Sequence, residues 1–342
     1  MDATALTPLR LAPIFKPAPW GGDRLQAWLG VSDPSPEPIG EAWVLSDQGE
    51  QLSRVVGGPF DGCTLRDLLV ALPQPILGRR WPGAERFPLL LKFLDARQNL
   101  SVQVHPNDAQ ARAKHGHGLG KTEAWVIQNV EPTSRIYAGL RRGVGEPELL
   151  HALHTGTVPD CLHEIAPKPE DVVFLPAGTI HALGGGVTLF EVQQTSDLTY
   201  RLHDWGRVDA VTGQPRPLHI AEALACTDYS GGPCQPVQPA IERVGLATQE
   251  RLIRCEQFTL WRWRADRPFT IGAAGVCRVV VGFSGWADLF YQGEKFALRP
   301  GEVLLLPAQV GACEVRPRGP VTVLECGLPG DVALPKVNRR AS

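Results

Sequence analysis

The sequence has no excess of charge of either sign. Its 34 lysines and arginines meet 36 aspartates and glutamates, a formal net charge of −2. That balance leaves no basic footprint for nucleic acid, so any anionic ligand has to be met by a local cluster of Lys and Arg. No apolar run approaches the roughly 20 residues of a membrane span, so no membrane partner is expected either. The opening MDATALTPLRLAPIFK lacks the basic start and long apolar core of a signal peptide. No C-x-x-C pair occurs among the cysteines at 63, 161, 226, 234, 255, 277, 313 and 326. They are expected as reduced thiols of a cytoplasmic protein, each a small buried apolar residue.

Long helical patterns are also scarce. Short amphipathic helices are expected over 64–71, where Thr64 and Asp67 are spaced for capping, over 107–114 after Pro106, and over 146–154. Most of the remainder is short β-like runs with turn signals every ten residues or so. Trp20-Gly21-Gly22 reads as such a turn, carrying an exposed or half-buried aromatic. Glycines 184–186 lie between two strand-like runs and open no helix, so a nucleotide-binding loop is not supported. At 342 residues the chain is about twice the usual domain length, and its 43% apolar content allows a sizeable core.

An internal repeat shows how that length is used. PEDVVFLPAGTIHAL at 169–183 resembles PGEVLLLPAQVGACE at 300–314, an offset of 300 − 169 = 131 residues. The expected fold is mainly β, with two cupin (jelly-roll) β units and a few short helices. The expected units are residues 1–240, holding a metal site, and 241–342, lacking the ligands, because Ala312 stands where the first copy has His181.

The candidate chemistry centres on SVQVHPNDAQARAKHGHGLGKTE, 101–123. In a strand, Ser101, Gln103 and His105 share one face and the two valines take the other. Glu123 opens the strand-like TEAWVI, and His181 ends VVFLPAGTIH. Two imidazoles, a carboxylate and an amide oxygen offered from separate strands suit a divalent metal, zinc first, with room for a substrate oxygen. For each histidine the alternative is a hydrogen-bonded structural residue. His115-x-His117 lies in a glycine-rich loop without a rigid strand and reads as a flap rather than a ligand pair. Lys92, inside the apolar FPLLLKFLDA, either snorkels to an edge or reaches into a site. Glu191 and Arg201 lie in β-rich runs, each either paired structurally or facing a ligand.

The stretches PLLLKFLDARQNLSVQVHPND, GKTEAWVI, FLPAGTIHALGGG and FEVQQTSDLTYRLHDWGR together resemble the type I mannose-6-phosphate isomerases in their short bacterial form. The resemblance implies one zinc per chain on Gln103, His105, Glu123 and His181, an active-site arginine at Arg201, and lysines at Lys121 and Lys92. It implies interconversion of mannose 6-phosphate and fructose 6-phosphate through an enediol(ate). Arg201 would steady the developing oxyanion, Lys92 or Ser101 would meet the phosphate, and Lys121 or Glu191 would carry the proton. Lys121 and Glu191 could instead form a buried ion pair with each other. Two other classes compete. A cupin oxygenase using iron is disfavoured by the fourth ligand and by the Lys92, Lys121 and Arg201 cations. A non-catalytic sugar-binding module is disfavoured by the complete set of family residues.

Overall fold

A computed structural model describes residues 1–81, 85–116, 118–208 and 212–330, and the counts below are of those residues. The apolar run becomes the strand Leu89–Ala96, buried at every position. Alternation explains how. Leu89, Leu91 and Phe93 enter a core shared with Val279, Val281, Leu305 and Leu324 of the C-terminal part. Leu94 and Ala96 point the other way, against Ile136, Ala138 and Leu183. A strand covered on both faces can be apolar throughout. Lys92 belongs to the second face and is 4% exposed, so it is aimed into the space between two sheets rather than toward an edge.

This strand sits in a six-stranded antiparallel sheet ordered Val172–Leu175, Glu123–Val130, Val187–Gln194, Leu89–Ala96, Ile14–Gly22, Ile39–Leu45. A five-stranded sheet faces it, ordered Leu162–Ile165, Ile136–Leu140, His181–Leu183, Val102–Val104, Tyr200–His203. The two close around a common apolar cluster. Behind the six-stranded sheet lies a seven-stranded one, which closes with a four-stranded sheet around Trp263, Ile271, Val280, Leu289 and Val315. The molecule is therefore two cupin-type β sandwiches placed back to back, mainly β with few helices as expected. The strand Leu9–Arg10 pairs with Val303–Leu306, so the start of the chain forms the edge of the C-terminal sheet. Val303–Leu306 and Val172–Leu175 are the repeated strands.

The three expected helices form at Leu65–Ala71, Asp108–His115 and Glu146–Thr155. Thr64 and Asp67 cap the first reciprocally, and Asn107 and Gln110 the second. All eight cysteines are free thiols, five of them buried and three half-buried. No helix of the described residues is long and apolar enough to cross a membrane. His117 and the polar tail PKVNRRAS lie outside the described residues.

The Trp20-Gly21-Gly22 stretch departs from its expected turn. It ends the strand Ile14–Gly22, and Trp20 is buried in the cluster between the two N-terminal sheets. The glycine there serves close approach, not chain reversal: a Cβ on Gly21 would come within 2.4 Å of the backbone nitrogen of Gly40 on the neighbouring strand. Gly21→Ala has to push these strands apart and is expected to cost about 1–3 kcal/mol. Urea unfolding would read this as a lower midpoint. An unchanged midpoint would show that the strands part freely.

Candidate metal centre

The strand Val102–Val104 is short, and its alternation decides what it presents. Val102 and Val104 are fully buried behind, while Gln103 faces the space between the sheets. His181 lies directly opposite Gln103 on one neighbouring strand, and Arg201 lies opposite it on the other. Cross-strand partners share a face, so His181, Gln103 and Arg201 form one row. His105 follows two residues after Gln103. The facing sheet supplies Glu123 and a second row in register: Trp125, Glu191, Lys92 and Trp43.

The loop before Glu123 brings the two walls together. Lys121 N donates to Pro106 O (3.0 Å), Gly120 N to Asp108 Oδ1 (2.7 Å), and Thr122 N to Gln194 Oε1 (2.9 Å). A Cβ on Gly120 would sit 2.5 Å from the backbone of Asn107, so only glycine lets the loop lie this close. On the other side, Gly178 N donates to His105 O (2.8 Å) and ties the LPAGTIH loop to the same point.

The result is a buried cluster in which one ligand atom each from His105, Glu123 and His181 lie within 4.8 Å of one another. His181 Nε2 is 3.2 Å from Glu123 Oε1, and His105 Nε2 is 3.6 Å from Oε2. Each histidine has its Nδ1 beside a backbone carbonyl, Leu198 O at 2.8 Å for His105 and Thr179 O at 2.9 Å for His181. With the proton on Nδ1, both Nε2 atoms are unprotonated and face the centre, the arrangement that orients histidine ligands, with Lys121 Nζ 3.2 Å from His105 Nε2. Burial first, and then Lys121, hold the His105 imidazole well below its ordinary range, so it stays neutral as a ligand requires. Burial alone would raise the Glu123 carboxyl, but Lys121 and the two histidines hold it well below the usual range. Both Glu123 oxygens are buried without an aligned hydrogen-bond donor, although Lys121 Nζ stands 2.8 Å from Oε2. Orphaned acceptors and unprotonated imidazole nitrogens converging on one point fit a divalent cation. Gln103 stands beside them, its amide Nε2 3.3 Å from His181 Nε2.

The cluster borders a cavity of about 350 Å³ lined by Lys92, Ser101, Gln103, Lys121, Glu191 and Arg201, the remaining residues that the sequence singles out. Lys121 and Glu191 do not form the ion pair considered as their alternative. Lys121 meets Glu123, and Glu191 meets Lys92 at 3.5 Å. Glu191 Oε2 accepts from Trp125 Nε1 (2.8 Å), while buried Oε1 accepts no hydrogen bond. Burial, then the charge of Glu123, raise the Glu191 carboxyl above its ordinary 4.5. Arg201 donates through Nη1 to Pro217 O (2.9 Å), and its buried Nε is unpartnered.

Several lining residues carried no mark in the sequence. Glu41 lies 3.2 Å from Lys92 and accepts from Trp43 Nε1 (2.6 Å). Burial works against the charge of Lys92, yet Glu41 and Glu191 together raise its pKa above the ordinary lysine value. Arg216 reaches the same cavity from beyond the last strand and is held in a two-pronged pair with Asp204. His115, 3.1 Å from the Tyr200 hydroxyl, lies outside the cluster.

The family model for the catalytic domain of type I phosphomannose isomerase matches residues 9–133. Mannose-6-phosphate isomerase ManA of Bacillus subtilis (strain 168) is 32% identical over 306 residues, covering 89% of this chain and 94% of that protein. The mannose-6-phosphate isomerase of Streptococcus mutans is 34% identical over 288 residues, covering 84% and 88%. The crystal structure of mannose 6-phosphate isomerase from Bacillus subtilis superposes with a TM-score of 0.86 at 31% identity, covering 94% of this chain and 100% of that one.

Proposed function

Since the chain belongs to the type I mannose-6-phosphate isomerase family, we propose that it interconverts D-mannose 6-phosphate and D-fructose 6-phosphate with zinc held by Gln103, His105, Glu123 and His181. The observation that carries this reading is the buried convergence of His105, Glu123 and His181 at the wall of a cavity also lined by Glu191 and Arg201, whose Oε1 and Nε make no hydrogen bond. The ion, when bound, supplies a net positive charge that polarises the O1/O2 edge of the open-chain sugar.

The rest is the work of the chain's own residues. Isomerisation removes the proton on C2, forms an enediol(ate), and returns a proton to C1. Glu191 is the proposed base, because its carboxyl is raised, lines the cavity, and has one oxygen, Oε1, that accepts no hydrogen bond and meets only the Lys92 ammonium at 3.5 Å. Lys121, engaged with Glu123, is proposed to position the ligand carboxylate and to be the second candidate for the proton. Arg201, oriented by Pro217 O, offers its free Nε to the developing oxyanion.

Lys92 and Ser101 are proposed to bind substrate. Two carboxylates already bracket Lys92, so its charge is offset and it suits a sugar oxygen better than a phosphate dianion. The cationic end of the cavity is at Arg201 and Arg216. Lys92→Ala is expected to raise KM for mannose 6-phosphate and for free mannose by similar factors, whereas Arg216→Ala should raise KM only for the phosphorylated sugar. Steady-state kinetics on both sugars checks this, and a selective loss for phosphorylated sugar in Lys92→Ala would return the phosphate to Lys92.

We also read residues 1–240 as the catalytic unit and 241–342 as a cupin-like unit without metal ligands. The cluster lies wholly in the first, and Ala312 replaces His181 in the second. A coupled assay of fructose 6-phosphate formation by the zinc-loaded protein tests the reaction. Absence of turnover on this substrate with metal bound would move the function to another sugar.

A further inference from the structure

A second pair of cavities lies away from the metal centre. They occupy the seam between the N-terminal segment and the C-terminal unit. The smaller, about 310 Å³, is lined by Arg10, Lys295, Arg299 and Arg318 with Asp288 as its carboxylate. The larger, about 550 Å³, adjoins it through Arg10, Trp286 and Arg299 and is walled by apolar Trp28, Leu29, Val44 and Val56. None of these residues lines the cavity at the metal centre.

Charge is unbalanced here in a chain that is otherwise slightly acidic. Arg10 is paired with Glu302 (2.5 Å) and Arg318 with Asp288 (2.8 Å). Lys295 and Arg299 face the smaller cavity and, among the described residues, form no ion pair with a carboxylate. Four cations against two carboxylates leave a formal charge of +2. Trp286 is also out of place. It is 54% exposed, and no other tryptophan among the described residues is exposed. Its ring lies against the Arg299 guanidinium, 5.3 Å from centroid to Cζ. An exposed indole over an apolar chamber, with unpaired cations next to it, has the chemistry to hold a flat apolar body joined to a polyanion.

We propose that these joined cavities bind a nucleoside diphosphate, with the base against Trp286 in the larger chamber and the phosphates among Lys295, Arg299 and Arg318 in the smaller. The diphosphate is favoured over a single phosphate because two unpaired cations and two arginines with spare donors face one small space. The site is separate from the isomerase pocket, so its occupant need not resemble the sugar.

Isothermal titration calorimetry of the zinc-loaded full chain with ADP tests this. Saturable binding of one ADP per chain is expected, undiminished by saturating mannose 6-phosphate. Lys295→Glu combined with Arg299→Glu should weaken ADP at least tenfold. Both are exposed side chains, and an unchanged thermal midpoint checks that this variant is folded. Pyrophosphate should bind more weakly than ADP, and Trp286→Ala should abolish that difference. No heat with ADP, binding indifferent to the double substitution, or displacement of ADP by mannose 6-phosphate would each overturn the proposal.

Discussion

Protein stripped of divalent metal by chelation is expected to convert no mannose 6-phosphate, and added zinc to restore turnover. The reason is electrostatic. A buried carboxylate with no aligned hydrogen-bond donor on either oxygen costs free energy unless a cation meets it. The Nδ1 atoms are already committed to Leu198 O and Thr179 O, which turns both Nε2 atoms to the centre, beside Lys121 Nζ (3.2 Å) and the Gln103 amide (3.3 Å). Glu123→Gln removes the negative charge from the ligand set and should lower zinc affinity by a factor of 10 or more, read by calorimetry independently of activity. Lys121 would then lose its 2.8 Å partner, so a lower thermal midpoint is expected in the same variant. Full activity in thoroughly stripped protein would remove the metal from the reaction.

The second large effect concerns the base. Glu191→Gln keeps the shape of the side chain and its contact with Trp125 but cannot take a proton. A fall in kcat of about 10²–10⁴ is expected, the usual worth of a positioned general base. The pH dependence gives the sharper result. Burial and Glu123 raise the Glu191 carboxyl above 4.5, and a base works only when deprotonated. Activity should therefore be full above that raised pKa and fall as pH drops through it. The acid limb of kcat/KM should vanish in Glu191→Gln and persist in Lys121→Met. The reverse pattern would assign the proton to Lys121.

What could be read in advance follows the range of the interactions. Gln103 and His105 are two residues apart, and a strand's alternation places both toward one side whatever the rest of the chain does. Leu65–Ala71 was legible from Thr64 and Asp67 because capping is local. Trp20-Gly21-Gly22 was misread because a glycine needed for close approach to Gly40 looks the same in sequence as one needed for a turn. Glu41 and Arg216 were invisible. Glu41 reaches Lys92 through pairing of strands about 50 residues apart, and Arg216 enters the cavity from irregular chain, with no periodicity to announce it.

The sequence by itself determined the β class, the doubled unit and the candidate ligand types, because alternation, turn residues and the 169–183 and 300–314 repeat are properties of neighbouring residues. Only the tertiary structure decided which charges meet. Burial between two closed sheets gave Lys92 to Glu41 and Glu191, gave Lys121 to Glu123, and left Glu191 Oε1 and Arg201 Nε buried without a hydrogen bond. Those pairings depend on cross-strand register and on distances of a few ångströms in a medium of low dielectric, where a displacement of one residue turns a side chain to the opposite face.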